Sequence, residues 1–119
     1  MTDRDSGISG RQHHLRHGEF TAVVTEIGAT LRQLRHGDRD LVMTYDIDEI
    51  CPVFSGAVLA PWPNRIAHGR YTFEARDHQL PLTEPPRSAA IHGLVAWVRW
   101  HAAVAEPDRI VLTHALVPQ

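Results

Sequence analysis

The chain has 119 residues, 43% of them hydrophobic and 22% charged, with a formal net charge of −2. These proportions are those of a globular domain, and they exclude a disordered polar tract, a collagen repeat and a coiled coil. All 12 basic residues are arginine, interleaved with 14 acidic residues as in Asp38-Arg39-Asp40, so no basic stripe suited to a phosphate backbone exists and nucleic acid is not an expected partner.

Cys51 stands alone, which rules out an intrachain disulfide and fits a reducing compartment. Residues 1–7 lack the apolar stretch of a secretory signal, and no apolar run approaches the roughly 18 residues of a membrane helix. The expected location is the cytoplasm, with no membrane partner. A domain of this length buries roughly two thirds of its unfolded surface, enough for a modest core without staples. The sequence carries no signal for oligomeric state.

Residues 1–18 are polar and rich in Gly, Arg and His, and read as a loose, disordered leader; residues 19–119 read as the folded domain. Phe20–Thr25 is β-branched and predicts a strand. After a break at Glu26–Ala29, the segment from Thr30 to His36 fits a strand or a short helix. With the turn Gly37–Asp40 and a strand over Leu41–Thr44, a hairpin is the better reading. Gly56–Ala60 is short and apolar between Gly and Pro, which predicts a buried strand, and Pro61–Arg65 cannot continue a ladder because two prolines lack donors.

Arg70–Glu74 and His78–Leu82 form an expected hairpin around Ala75-Arg76-Asp77, and Thr83–Ala90, with Pro85-Pro86, is an expected loop. Ala96–Ala102 and Arg109–His114 alternate with period two and predict strands joined at Glu106-Pro107-Asp108. In that reading Trp97 and Trp100 point to opposite faces, one into the core. Short strands at regular spacing between Pro/Gly turns make the fold class all-β.

Chemistry-bearing residues concentrate between Gly56 and His92. Asn64 and Arg65 on a rigid loop offer a fan of hydrogen-bond donors and one acceptor, suited to a ligand covered in hydroxyls. Trp62 offers an apolar face for the C–H side of a sugar ring, and His92 can donate or accept near neutral pH. The set fits a neutral carbohydrate better than a phosphate, and no Gly-rich phosphate loop exists. By residue type alone, Arg65 is more often a surface or loop-bracing arginine than a ligand, Asn64 suits a left-handed turn, and a satisfied structural histidine is the default for His92. Nine histidines invite a metal reading, but His13-His14-x-x-His17 sits in the polar leader with no Cys pair or acidic partner at ligand spacing, and no two of His36, His68, His78, His101 and His114 form a His-x-x-x-His helical pair, so no metal is expected. Cys51 reads as an inert thiol.

The run Gly56-Ala57-Val58-Leu59-Ala60-Pro61-Trp62-Pro63-Asn64-Arg65-Ile66, followed by Gly69–Phe73 and by Ile91-His92-Gly93-Leu94, resembles the N-terminal part of the aldose 1-epimerase (galactose mutarotase) family. Ile27–Leu31 and Asp40–Val42 resemble that family's opening hairpin, and the resemblance runs from about Phe20 to the chain end. It implies part of an antiparallel β-sandwich and the interconversion of the α and β anomers of free glucose- or galactose-type aldoses by acid–base ring opening, with no cofactor. By position, Asn64, Arg65 and His92 match substrate-binding residues, and His92 matches the family's first active-site histidine, a catalytic role at the ring oxygen. The chain departs from the family in the Trp62-Pro63 loop and in Leu94 after Gly93. The family's principal acid histidine and base glutamate lie downstream of its His-Gly pair, and neither Glu84 nor Glu106 matches the base. The expectation is therefore an N-terminal portion, inactive alone, with a non-catalytic carbohydrate-binding β-domain as the alternative.

Overall fold

The computed structural model describes residues 6–118, which divide into two compact units: residues 6–58 with 96–118, and residues 59–95. In chain order the strands are β1 (Ser6–Gly7), β2 (Gly10–His17), β3 (Phe20–Thr25), β4 (Leu31–His36), β5 (Arg39–Asp40), β6 (Arg65–Ala67), β7 (Arg70–Phe73), β8 (Arg76–Gln79), β9 (Ala89–Ile91), β10 (His101–Glu106) and β11 (Arg109–Thr113). All pairings are antiparallel. The all-β expectation holds, and no helix among the described residues is long and apolar enough to cross a membrane.

The first unit holds a five-stranded sheet in the order β1-β2-β3-β4-β5 and the separate β10–β11 hairpin. The expected loose leader is corrected from Ser6 onward, because Gln12 to His17 pair with Thr25 back to Phe20 along the whole of β3; residues 1–5 lie outside the described residues. Polar composition hid this strand because its inward face is polar and satisfied. Gln12, 5% exposed, donates to Ser9 Oγ at 2.8 Å and to the Gly10 carbonyl at 3.0 Å, and its Oε1 accepts from Arg32 Nε at 2.8 Å. Buried polar groups are tolerated when each finds such a partner.

The same rule shapes the centre of this unit. Thr25 and Thr30 are fully buried beside Val23, Tyr45, Cys51 and Ala96, and both hydroxyls donate to the Ile27 carbonyl, at 2.7 and 3.2 Å. Between them the chain turns through Gly28 at φ +75°, packed so tightly that a Cβ would overlap the Ala96 carbonyl. The Gly28 N–H donates to the Val98 carbonyl at 2.8 Å and the Trp100 N–H to the Glu26 carbonyl at 2.9 Å. These bonds occupy the backbone of the segment expected to be a strand from Ala96, so the ladder starts only at His101. Trp97 is half exposed and set edge-on against Phe54, and Trp100 is half-buried beside His114, so neither occupies the core.

Other expectations shift for local reasons. Neither Leu41–Thr44 nor Gly56–Ala60 forms a strand; the short return strand is β5, whose Arg39 and Asp40 face His36 and Arg35. In the second unit β6 pairs with β9 and β7 with β8. Arg65, excluded from a ladder by its proline neighbours, begins β6 because the ladder needs its own backbone and not that of Pro63. The β7–β8 turn is the two residues Glu74 and Ala75, both at positive φ, as a tight hairpin turn requires. The expected loop Thr83–Ala90 contains a 3-10 turn at Pro85–Arg87 and the start of β9.

Replacing Gly28 with Ala adds a side chain at a left-handed position with no room for it, and should cost about 2 kcal/mol or more in a urea titration. Cys51 is 7% exposed and burial pushes its thiol up from the ordinary range, so less reactive thiolate forms at a given pH. A disulfide-exchange reagent at pH 8 should label it at least about tenfold more slowly in the folded chain than in urea.

Candidate functional site

The candidate residues lie in the second unit, at one end of the β6–β9 ladder. The register pairs Arg65 with Ile91, Ile66 with Ala90 and Ala67 with Ala89. One step beyond it, Asn64 and His92 face each other, at φ 64° and 57°. Asn and His are among the few side chains that tolerate this left-handed conformation. They exchange two hydrogen bonds: the His92 N–H donates to the Asn64 carbonyl, and the Asn64 N–H donates to His92 Nδ1, both at 2.9 Å. A main-chain N–H can only donate, so Nδ1 is the lone-pair nitrogen and the neutral imidazole carries its proton on Nε2. The ring is thereby fixed in orientation and in tautomer.

The flanking chain holds this arrangement from both sides. Gly93, at φ 77°, approaches Ala60 so closely that a Cβ would overlap its backbone, and the Leu94 N–H donates to the Ala60 carbonyl at 2.8 Å. This contact ties the segment after His92 to the start of the Pro61-Trp62-Pro63 loop that leads into Asn64. On the other edge of β9, the Ile91 N–H donates to Thr83 Oγ1 at 2.9 Å. Trp62 is half-buried, and its indole N–H has no hydrogen-bond partner among the described residues.

Arg65 and Glu84 form a two-pronged ion pair, with Nε 2.5 Å from Oε1 and Nη2 3.0 Å from Oε2. The hydrogen bond from Arg65, and then its charge, hold the Glu84 carboxyl below the usual carboxylate range; Arg87 and His92 act in the same direction. The same bond raises the Arg65 guanidinium further above its already high value. Asn64 and Arg65 are exposed and His92 is half-buried, so the three lie at an open surface of this unit. A groove of about 410 Å³ in this unit is lined instead by Arg70, Tyr71, Thr72, Asp77, His78 and Gln79 on the β7–β8 hairpin.

The structure therefore joins Asn64 to His92 directly and links Arg65 to Glu84, which sequence reasoning set aside because it does not match the family's base. Position 84 has no readable relation to position 65 until β9 is placed between them, with Glu84 bridged to Ala89 and Arg65 to Ile91. The pair Pro85-Pro86 was the only local sign that Glu84 is fixed. Among the described residues no group of three or more His, Cys, Asp or Glu is arranged to hold a metal ion.

Residues 11–119 match the aldose 1-epimerase family. The chain is 37% identical over 110 residues to the uncharacterized protein YihR of Escherichia coli K12, covering 92% of this chain and 36% of that protein. It superposes on the GalM/aldose epimerase homologue of C. elegans with a TM-score of 0.71 and 22% identity, over 85% of this chain and 34% of that one. A galactose mutarotase-like protein of Clostridium acetobutylicum gives a TM-score of 0.67 and 20% identity, over 83% and 32%. The chain spans about a third of the length of each of these proteins. Its antiparallel β architecture is that of the galactose mutarotase-like fold, and the match begins within β2, ahead of the Phe20 expected from sequence. By the match over residues 11–119, the chain belongs to the aldose 1-epimerase family.

Proposed function

We propose that the Asn64–Arg65–His92 surface is the sugar-recognition part of an aldose 1-epimerase, acting on free aldoses of the glucose or galactose type. In this reading Asn64 and Arg65 hold ring hydroxyls, and His92 donates from Nε2 toward the ring oxygen. The observation that carries it is the bond from the Asn64 N–H to His92 Nδ1 at 2.9 Å, which makes the imidazole a donor of fixed direction next to an arginine on the same ladder. A neutral donor array of this kind suits hydroxyl and ether oxygens. A lone, buried Cys51 fits a cytoplasmic setting.

Opening a cyclic hemiacetal needs one group to protonate the ring oxygen while another removes the proton of the anomeric hydroxyl. It needs no metal or organic cofactor. His92, neutral with Nδ1 occupied by the Asn64 N–H, serves the first task only by hydrogen-bonding the ring oxygen from Nε2–H, since giving that proton up would leave an imidazolate. Glu84 does not suit the second, because a carboxylate held below its ordinary range by Arg65 is a weak proton acceptor. The residues at this site thus supply binding and a directed hydrogen-bond donor, and neither an acid that gives its proton to the ring oxygen nor a base for the anomeric hydroxyl is part of the set.

Two outcomes follow for the 119-residue chain. Titration with galactose or glucose, followed by amide chemical shifts, should perturb Asn64, Arg65 and His92. Arg65→Ala should weaken that binding about tenfold or more while leaving the β-sheet spectrum unchanged, the loss expected for a charged hydrogen-bond donor. Loss of fold in this variant would instead identify Arg65 as a loop brace. In polarimetry of freshly dissolved α-galactose, the chain should leave the spontaneous rate of mutarotation unchanged. Acceleration proportional to protein concentration would mean that these residues include a competent acid and base.

A further inference from the structure

We propose that Glu84 is a positioning residue of the sugar site: its carboxylate fixes the Arg65 guanidinium and balances its charge, so that Arg65 acts as an oriented hydrogen-bond donor and not as a bare cation. This rests on the carbohydrate reading of Asn64, Arg65 and His92, and goes beyond it by giving a role to a residue that touches the site only through Arg65.

Both partners are fixed by one strand. Arg65 pairs with Ile91 on one side of β9, and on the other side the Glu84 N–H donates to the Ala89 carbonyl at 2.9 Å. Past Glu84 the chain enters the 3-10 turn Pro85–Arg87, whose two prolines have locked φ, and the Arg87 N–H closes on the Glu84 carbonyl at 3.1 Å. With both backbones held, only the side-chain entropy of the two partners opposes the pair. The Glu84 side chain is the more covered partner, 21% exposed against 42% for Arg65, so the carboxylate is the anchor and the guanidinium the presented group. The two-pronged contact uses two of the five N–H donors of an arginine, Nε and one on Nη2, and orients the remaining edge.

The charges around the carboxylate support the second half of the proposal. Arg65 contacts it, Arg87 Nε lies 3.7 Å from Oε1, and His92 acts on it electrostatically. Without Glu84, two arginines would face the site uncompensated, in the planar, forked arrangement that favours phosphate and carboxylate ligands. A ligand made of hydroxyls gains from direction; an anion gains from bare charge.

The test compares the chain with its Glu84→Gln variant, which keeps the shape and the main-chain bonds. Galactose affinity should fall about three- to tenfold and affinity for inorganic phosphate should rise by a similar factor, as expected when a charge-assisted pair is replaced by a neutral amide. In the unsubstituted chain, the Arg65 Nε–H resonance should hold steady from neutral pH down through the ordinary carboxylate range and move only below it. The sign follows from the carboxyl being held low, which keeps the pair intact above its ordinary titration and breaks it only as the folded group protonates. In the variant that low-pH transition should disappear. Unchanged affinities for both ligands, or an Arg65 resonance with no low-pH transition in the unsubstituted chain, would overturn the proposal. If neither protein binds galactose, the sugar reading fails on its own, and the phosphate response together with the Arg65 resonance still decides whether Glu84 restrains Arg65.

Discussion

Two hydrogen bonds between Asn64 and His92 set the chemistry of the site, because one of them ends on a side chain. If the Asn64 N–H met a carbonyl, the imidazole would be free to rotate and to choose its tautomer. Since it meets Nδ1, the ring is held by the backbone and its proton lies on Nε2. The conformations on either side serve this contact. Asn64 and His92 both adopt left-handed backbone geometry, and Gly93 approaches Ala60 where no side chain fits. Backbone strain of this kind persists where surrounding structure over-determines it, and it concentrates at functional sites.

The ladder that carries the bonds is short, three residues on each strand, and it is reinforced from outside. Thr83 supplies a hydroxyl to the Ile91 N–H, and Glu84 bridges to Ala89 while its side chain reaches Arg65. One edge of β9 thus carries the recognition residues and the other carries the groups that hold them. The first unit follows a related economy with different parts. Its interior is filled with Thr25, Thr30, Ser9 and Gln12 as well as Val23 and Tyr45, each polar group answered by a neighbour. Burial there raises the Tyr45 hydroxyl and the Cys51 thiol above their ordinary values.

Elements defined by local pattern were legible from sequence, and those defined by a partner were not. Phe20–Thr25 carries its β-branched residues in plain view, and Arg109–Thr113 shows a clean apolar stretch after a Pro-Asp turn. Gly10–His17 shows neither, because its inward side chains are polar and are acceptable only once Ser9 and Arg32 are seen to bond Gln12. Ala96–Trp100 alternates as a strand should, yet its backbone bonds go to the Glu26–Gly28 turn. Alternation reports what side chains prefer, whereas a strand also needs a free neighbouring backbone.

By itself the sequence determined the all-β class, the absence of a basic stripe, and the Asn64-Arg65 and His92-Gly93 pairs that resemble the aldose 1-epimerase family. Residue type and order suffice for these, since turn chemistry and motif spacing are local properties of the chain. Only the tertiary structure decided which nitrogen of His92 carries the proton, that Glu84 belongs with Arg65, and that β6 and β9 bring positions 64 and 92 together. Each depends on the register of strands far apart in sequence, and register is fixed by the pairing of whole strands.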